Sequence, residues 1–288
     1  MNPLIFLMLY IILAHNSLNC YVKETTSDNR ELIDVVIPCT SKDLPTLTYC
    51  IHGIRKYGKN IRRIIVISDK KLTDEAEWFS ETNFQFSKLS LANEIFQNEQ
   101  HASEYIAHKN SRIGWLYQQL LKLYSPLTIP NIASNVLILD SDTIFLKPVS
   151  FFDDEGYALY NMGAEYHIPY FEHMKRFLPT LFKVYPEYSG ITHHMLFQQH
   201  VIKELCEKVE QLHKIELWKV MCRCIDHNHL YNSAFSEYEI YFNFIFDPEN
   251  KKKVKLRSLN WANTGQINSI DDFQNNCYDY VSCHAYMR

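Results

Sequence analysis

The sequence predicts an α/β protein with a mixed, mostly parallel central sheet that is flanked by helices, and with a helix-rich C-terminal half. Three apolar runs have the length of strands and the Val and Ile content of strands buried on both faces: Ile33–Pro38, Ile61–Ser68 and Asn135–Leu139. Two segments with helical spacing, Leu44–Tyr57 and Ser111–Tyr124, lie between these runs. Alternation of strand and helix along a chain is typical of parallel sheets.

The composition is that of a chain that can bury a full core. The 288 residues are 47% hydrophobic and 14% aromatic, and 29 Lys and Arg against 33 Asp and Glu give a net charge of -4. Nothing in this balance indicates a nucleic-acid partner. Glycines number only seven, and neither a GxGxxG nor a GxxxxGKS/T loop occurs. A bound phosphate would therefore need a metal ion and basic side chains.

The chain begins with an apolar run at residues 3–14, and residues 21–31 form a polar linker. About 12 apolar residues are fewer than the roughly 20 that span a bilayer, so residues 1–20 are typical of a signal peptide or a short apolar anchor. This run predicts a secretory or membrane-associated protein, with a cytoplasmic location left open, and would place the chain near a membrane. Residues 32–288 are predicted to form a single domain.

The strand that ends at Leu139 runs directly into Asp140, Ser141 and Asp142. A carboxylate beside a core is costly unless a cation meets it, so this ending predicts a bound cation. Two carboxylates at i and i+2 suit a hard divalent ion that keeps open positions for phosphate oxygens. A cation about 4 Å from a phosphate charge contributes roughly 4 kcal/mol at an effective dielectric constant near 20.

The segment from Val136 to Asp142 resembles the metal-binding Asp-x-Asp motif of GT-A-type glycosyltransferases. The wider pattern, over about residues 31–288, looks like one uncharacterised family of predicted glycosyltransferases. Four further segments carry that resemblance: Pro38–Asp43, Gly114–Lys122, Ser189–Met195 and Ser236–Tyr241. The resemblance implies a GT-A-like (Rossmann-like) fold with a nucleotide-binding half at 32–150 and an acceptor half at 151–288.

The activity that this resemblance implies is a metal-dependent, hexosyltransferase-like reaction. A sugar would move from a nucleotide-diphosphate-sugar donor to a hydroxyl group of a glycan, a lipid or a protein. Asp140 and Asp142 would bind Mn²⁺ or Mg²⁺, and His284 matches by position a histidine that completes the metal coordination in several such families. The stereochemistry of the transfer is left open.

The resemblance also implies a donor site. Its candidates lie in the loop after the first strand, after the second strand, on the helix before the metal motif and in the polar loop near residue 193: Thr40, Lys42, Asp43, Asp69, Arg112, Lys122, His193 and His194. At the start of a later helix, Glu237 is the predicted catalytic base and Glu239 the second candidate. Ser236 and Glu239 also fit a capping box, which gives Glu239 a structural explanation.

Several other segments have less distinct patterns. Helical spacing is predicted for Leu72–Phe79 and for a long helix over Leu196–Glu216, whereas 90–110 is predicted to be a polar loop and Val254–Trp261 a single strand. The aromatic and basic segment Tyr166–Lys183 predicts either an acceptor surface or part of the core.

Two other functions fit parts of the sequence. Phosphatases of the haloacid-dehalogenase type also place Asp-x-Asp after a strand, but their motif has Thr two residues after the second Asp, where this chain has Ile144. The apolar N-terminal run favours a second alternative, a secreted carbohydrate-binding protein or a transferase fold without catalytic activity.

Overall fold

The fold is built from short strands and helices that alternate along the chain. The structure is a computed structural model that describes residues 32–265, 273, 277–284 and 287, all within one compact unit, Leu32–Arg288. The strands are β1 (Ile33–Pro38), β2 (Ile61–Ser68), β3 (Glu77–Ser80), β4 (Asn135–Leu139), β5 (Thr143–Phe145), β6 (Ala158–Asn161), β7 (His194–Gln198), β8 (Val254–Arg257), β9 (Trp261–Thr264) and β10 (Tyr280–Cys283). The helices are α1 (Leu44–Tyr57), α2 (Lys88–Phe96), α3 (Glu99–Ala107), α4 (Ile113–Thr128), α5 (Ile168–Phe177), α6 (Gln199–His213), α7 (Leu217–Arg223) and α8 (Glu237–Phe246).

The central sheet has five strands in the order β3-β2-β1-β4-β7. β1 pairs in parallel with both β2 and β4, and β3 pairs in parallel with β2. β7 is antiparallel to β4. Every residue of β1 and β4 is buried, as expected for inner strands with both faces covered. The predicted α/β class, with a mostly parallel sheet flanked by helices, is confirmed.

Two smaller sheets complete the fold, with strand orders β5-β10-β9 and β6-β8. β10 is antiparallel to β5, which follows the carboxyl end of β4 after a turn of three residues. This pairing brings Cys283 and His284 beside the turn: the Cys283 amide donates a hydrogen bond of 2.8 Å to the carbonyl of Asp142. A segment from near the C-terminus therefore meets the Asp-x-Asp motif.

Helix α4 is anchored in the core by one apolar face. Leu116, Leu120 and Leu123 lie in the core, at the spacing of one helical stripe. The helix extends to Thr128, beyond its predicted end at Tyr124, and the predicted cap Ser111 lies one residue before the observed N-cap, Arg112. The Ser111 hydroxyl nevertheless accepts a hydrogen bond of 3.3 Å from the amide of Ile113.

The structure corrects two predictions before α4. Helical spacing over Leu72–Phe79 is wrong, because its last residues form the edge strand β3, whose parallel pairing with β2 outweighs the local pattern. The predicted loop at 90–110 is wrong as well, since α2 and α3 occupy most of it. Side-chain caps begin both helices, at Ser87 and Asn98. Gln97 separates them in a left-handed conformation, with φ 50°.

Two later predictions are also corrected. The long helix over Leu196–Glu216 is wrong: β7 occupies 194–198 because it pairs along β4, and α6 begins only at Gln199. The single strand over Val254–Trp261 is divided between β8 and β9, which belong to different sheets. Among the described residues, no helix is both long and apolar enough to cross a bilayer. The apolar run at 3–14 lies outside the described residues.

Candidate functional site

Asp140 and Asp142 form the turn between β4 and β5, at the carboxyl end of the central sheet. The Asp140 amide donates to the carbonyl of His193 at 3.0 Å, and its own carbonyl accepts from the amide of Thr143 at 3.0 Å. Their carboxylate side chains are 21% and 22% exposed. Ligands bind at this edge in open α/β sheets, and both residues line a cavity of about 460 Å³ here.

This first cavity is lined by residues of α4 and its N-cap, the loop after β1, the Asp-x-Asp turn, the starts of α5 and α8, the loop before β7 and the residue after β10. They are Lys42, Asp43, Arg112, Trp115, Gln118, Gln119, Lys122, Asp140, Ser141, Asp142, Tyr170, Ile191, His193, Ser236, Tyr238 and His284. Eight of the predicted metal-binding and donor-site residues therefore meet in one place: Lys42, Asp43, Arg112, Lys122, Asp140, Asp142, His193 and His284. Its volume lies within the usual range of about 300–1,000 Å³ for ligand sites.

A buried charge cluster forms the floor of the first cavity. The Lys122 ammonium lies 2.5 Å from Asp140 Oδ1 and 3.0 Å from Glu237 Oε1, and its side chain is 4% exposed. It also lies over the ring of Tyr238, 4.4 Å from the centroid. One cation is thus shared by two carboxylates in a site that water hardly reaches.

Each group of this cluster has a perturbed pKa. Burial would raise the pKa of Asp140, but the Lys122 ammonium and His193 outweigh it and hold that pKa well below its usual range. Burial would lower the pKa of Lys122, but the carboxylates of Asp140 and Glu237 keep it above its ordinary value. Burial raises the pKa of Glu237, and the ammonium of Lys122 opposes that rise while the charge of Asp140 adds to it. Asp140 and Lys122 are therefore a stable ion pair at neutral pH.

Glu237 is fully buried and does not line the first cavity. Its carboxylate reaches the cavity only through the Lys122 ammonium, whereas its sequence neighbours Ser236 and Tyr238 are on the wall. A general base must approach the proton that it removes to hydrogen-bonding distance. The position of Glu237 thus suits a partner of Lys122 better than a group that contacts a substrate.

Asp142 is held by residues of the β10 segment. His284 Nδ1 lies 3.0 Å from Asp142 Oδ2, and Ser282 Oγ donates to Asp142 Oδ1 at 3.2 Å. The other ring nitrogen of His284, Nε2, lies 3.0 Å from Asn263 Oδ1 on β9. A carboxylate and an imidazole are thus fixed together at the cavity wall, with a further amide that orients the imidazole.

His193 lies opposite His284 and has an unusual backbone conformation. Its φ is 61°, in the left-handed region that few residues with a side chain adopt. Its Nδ1 is 3.6 Å from Asp140 Oδ2, and its ring centroid is 4.9 Å from that of His284. Residues held in such conformations concentrate at functional sites. The strain at His193 thus supports a functional role for this wall.

The side chains at this wall are, in part, the kind of ligands that a divalent cation requires. Two carboxylates and two imidazoles, from Asp140, Asp142, His193 and His284, face the first cavity, and oxygen and imidazole ligands suit Mn²⁺ and, for the carboxylates, Mg²⁺. As arranged, Asp140 is engaged by Lys122 and Asp142 by His284. Within the part of the chain that the structure describes, no three His, Cys, Asp or Glu side chains are already grouped to hold a metal ion.

A second cavity, of about 330 Å³, adjoins the first at the carboxyl ends of β1 and β2. Thr40, Lys42, Asp43 and Arg112 all line it, and Lys42, Asp43 and Arg112 line the first cavity too. Thr40 Oγ1 donates to Asp43 Oδ2 at 3.0 Å. The Arg112 guanidinium donates to Ser233 Oγ at 3.1 Å and lies 5.1 Å from the ring centre of Trp115. These predicted donor residues are therefore brought together.

Three predicted site residues lie elsewhere. Asp69 is exposed after β2 and lines neither cavity. His194 is buried in the core, where burial lowers the pKa of its imidazole to about 3 and its Nδ1 donates to the Thr192 carbonyl at 3.0 Å. The Glu239 carboxylate accepts from Ser189 Oγ and from the Gly190 amide, each at 3.0 Å. The Ser236 hydroxyl caps the Glu239 amide, as half of the expected box.

Sequence reasoning missed several wall residues. The helical stripe that carries Arg112 and Lys122 also carries Trp115 and Gln119, whereas Gln118 lies beside this stripe and had no signal. Tyr238 follows the predicted base Glu237 directly, and this neighbourhood was its only signal. Asn263 and Ser282 had no signal, because their contacts with His284 and Asp142 depend on the β5-β10-β9 sheet.

Comparisons with known proteins identify a family and distantly similar solved structures. The model of DUF6492, described as a family of unknown function, matches residues 30–268. No curated protein matches the sequence. The crystal structure of mouse xyloside xylosyltransferase 1, in its apo form, is similar over 89% of this chain and 98% of that chain, with 9% identity and a TM-score of 0.39. Such low values transfer no activity to this chain.

Proposed function

The chain belongs to DUF6492, a family of unknown function, and from the geometry of its site we propose that it is a glycosyltransferase. The reaction would move a sugar from a nucleotide-diphosphate-sugar donor to a hydroxyl group. One observation carries this proposal: Asp140 and Asp142, which follow the central strand β4, lie on the wall of a cavity that Lys122 and His284 also line. A diphosphate needs such a mixture of metal ligands and fixed cations.

We propose that Asp140, Asp142 and His284 hold Mn²⁺ or Mg²⁺. When bound, the ion would neutralise the charge that develops on the departing diphosphate. Asp142 and His284 are already adjacent, while Asp140 has Lys122 as its present partner. The ring of His193 lies close to both Asp140 and His284, so it limits the space between these two proposed metal ligands.

Lys122 supplies a fixed positive charge beside the predicted position of the diphosphate. Its ammonium is held by two carboxylates and does not have to be ordered when the donor binds, which preserves its electrostatic contribution to the transition state. Glu237 acts through Lys122 as a positioning residue. The predicted base role does not suit Glu237 in this arrangement, because its carboxylate is buried behind the ammonium.

The acceptor would approach from the side of α5 and α8. Tyr170 of α5 lines the first cavity, and its ring is stacked parallel to that of Trp115, with a centroid distance of 6.5 Å and an interplanar angle of 9°. Aromatic faces of this kind contact the apolar C–H faces of sugar rings. We propose a glycan, lipid or protein hydroxyl as the acceptor. The secretory or membrane-associated location predicted from 3–14 stays a prediction.

The test is hydrolysis or transfer of nucleotide sugars, assayed with Mn²⁺ and with a chelator. Asp142→Asn keeps the shape of the side chain but removes its charge, and we expect it to lower the metal-dependent rate by about 100-fold or more. Asp154→Asn is the matched control, because Asp154 is exposed in a turn and lines neither cavity. This control should keep the full rate.

Full metal-dependent activity in Asp142→Asn would refute the proposed role of the Asp pair. Binding of nucleotide diphosphates without any turnover would instead support the alternative of a binding protein with a transferase fold. Release of phosphate from an aryl phosphate would favour the phosphatase alternative.

A further inference from the structure

Gly114 is a helical glycine that the fold itself does not require. It is the second residue of α4, is exposed, and has no positive φ. A Cβ atom added there would meet no heavy atom within 4 Å. At Gly53, by contrast, a Cβ would lie 2.9 Å from the carbonyl oxygen of Phe145, so close packing explains that glycine. Glycine is less favourable than alanine in a helix, and the fold offers no compensation at Gly114.

Gly114 is part of the wall of the second cavity. This cavity has both apolar and polar walls. Pro38, Ile67 and Leu121 contribute apolar surface, and other positions contribute polar groups: Thr40, Glu81, Lys88 and Gln118. A flat group with apolar faces and a polar edge matches such walls.

The two cavities adjoin each other. They share five residues: Lys42, Asp43, Arg112, Trp115 and Gln118. A ligand with its diphosphate beside Asp140 and Asp142 would therefore extend past Arg112 and Trp115 into the second cavity. A nucleotide-diphosphate sugar has a sugar at one end of its diphosphate and a nucleoside at the other, and the flat nucleobase of the nucleoside matches the walls of the second cavity.

We propose that Gly114 is a specificity-determining residue, which lets the nucleobase of the donor lie directly against the backbone of α4 in the second cavity. This inference rests on the proposed function and adds the position of the base. The missing side chain is the feature that makes room, because Gly114 lines the second cavity and no protein atom lies within 4 Å of the position that its Cβ would take. Close approach of a ligand to the backbone is a common reason for glycine.

The experiment measures binding by calorimetry with Mn²⁺ and each of UDP, GDP, CDP and ADP. We expect the wild type to bind at least one of them, and Gly114→Val to weaken that binding on the order of 10- to 200-fold, the range for a methylene-sized misfit in a pocket. Gly114→Ala should weaken it less. The melting temperature of unliganded Gly114→Ala should be unchanged or higher, since alanine favours the helix. Loss of binding without loss of stability separates a ligand contact from a structural role.

Ala107→Val is the matched control. Ala107 is exposed at the end of α3 and lines neither cavity, so this variant has the same β-branched side chain in a helix but should bind like the wild type. Wild-type affinity in Gly114→Val would overturn the inference and leave the proposed function standing. No binding of any of the four nucleotides to the wild type would overturn both. If Ala107→Val lost affinity equally, the effect would be one of helix stability, and the inference would again be overturned.

Discussion

Replacing Lys122 with methionine tests the charge cluster that underlies the site. Methionine keeps the unbranched apolar stem but removes an ammonium that lies 2.5 Å from Asp140 Oδ1 and 3.0 Å from Glu237 Oε1. The Glu237 side chain is fully buried and that of Asp140 is 21% exposed, so both carboxylates would be left with little solvation and no cation. Removing one partner of a buried ion pair costs about 3–5 kcal/mol, and we expect Lys122→Met to lower the free energy of unfolding by about this amount.

Equilibrium unfolding in urea at pH 7 measures that loss. The control is Lys203→Met on α6, where an exposed lysine is replaced in the same way and the change should stay within about 0.5 kcal/mol. Lys122→Met combined with Glu237→Gln should recover part of the lost stability, since a neutral amide no longer needs a cation. A loss below about 1 kcal/mol in Lys122→Met, or no recovery in the double variant, would refute the assignment of a shared, desolvated cation.

Three further predictions concern stability. Burial lowers the pKa of His173 from 6.5 to about 4, so between these pH values only the unfolded chain binds the proton. His173 should contribute a fall of about 1.4 kcal/mol per pH unit in the free energy of unfolding as the pH drops through that window, and urea titrations of His173→Gln should show a slope that is smaller by about this amount; an unchanged slope would contradict this. Gly53→Ala should lose about 1–3 kcal/mol in the same assay, because its Cβ would lie 2.9 Å from the Phe145 carbonyl oxygen. Ser236→Ala removes the cap of α8 and should lower the melting temperature, at a cost of about 1 kcal/mol; an unchanged melting temperature would show that the cap contributes little.

Local patterns were sufficient for the parts of the fold whose residues face a uniform environment. β1, β2 and α1 lie at the predicted positions, because a strand buried on both faces is apolar throughout and a helix on a sheet has one apolar stripe. β3 and β7 were missed for the opposite reason. They are edge strands whose conformation depends on pairing with β2 and β4, and this pairing is not visible in a short segment.

The candidate site was predictable to the extent that its residues follow strand ends. Asp140, Asp142 and the residues after β1 meet in adjoining cavities, as the geometry of a parallel sheet requires. Adjacent histidines point in different directions on a regular backbone, but which of His193 and His194 would reach the cavity was not predictable, and neither was the depth of Lys122. His193 ends a turn with a left-handed backbone, and His194 begins β7, so the two side chains reach opposite environments.

The burial of Glu237 shows a further limit of local reasoning. A carboxylate at the start of a helix can face a cleft or the core, and the residues on either side of Glu237 do not distinguish these cases. In the structure the outcome depends on Lys122, which lies 3.0 Å from the carboxylate on a different helix. Only the packing of α4 against α8 decides which group reaches the cavity.

The pairing of β5 with β10 joins parts of the chain that are made at different times. Asp142 and His284 are 142 positions apart. At 5–20 residues per second, a ribosome takes roughly 7 to 28 s to add the second after the first. A nascent chain can therefore complete β1 to β4 well before His284 exists. An incomplete polypeptide released before His284 is added would therefore carry the Asp pair without the histidine beside it.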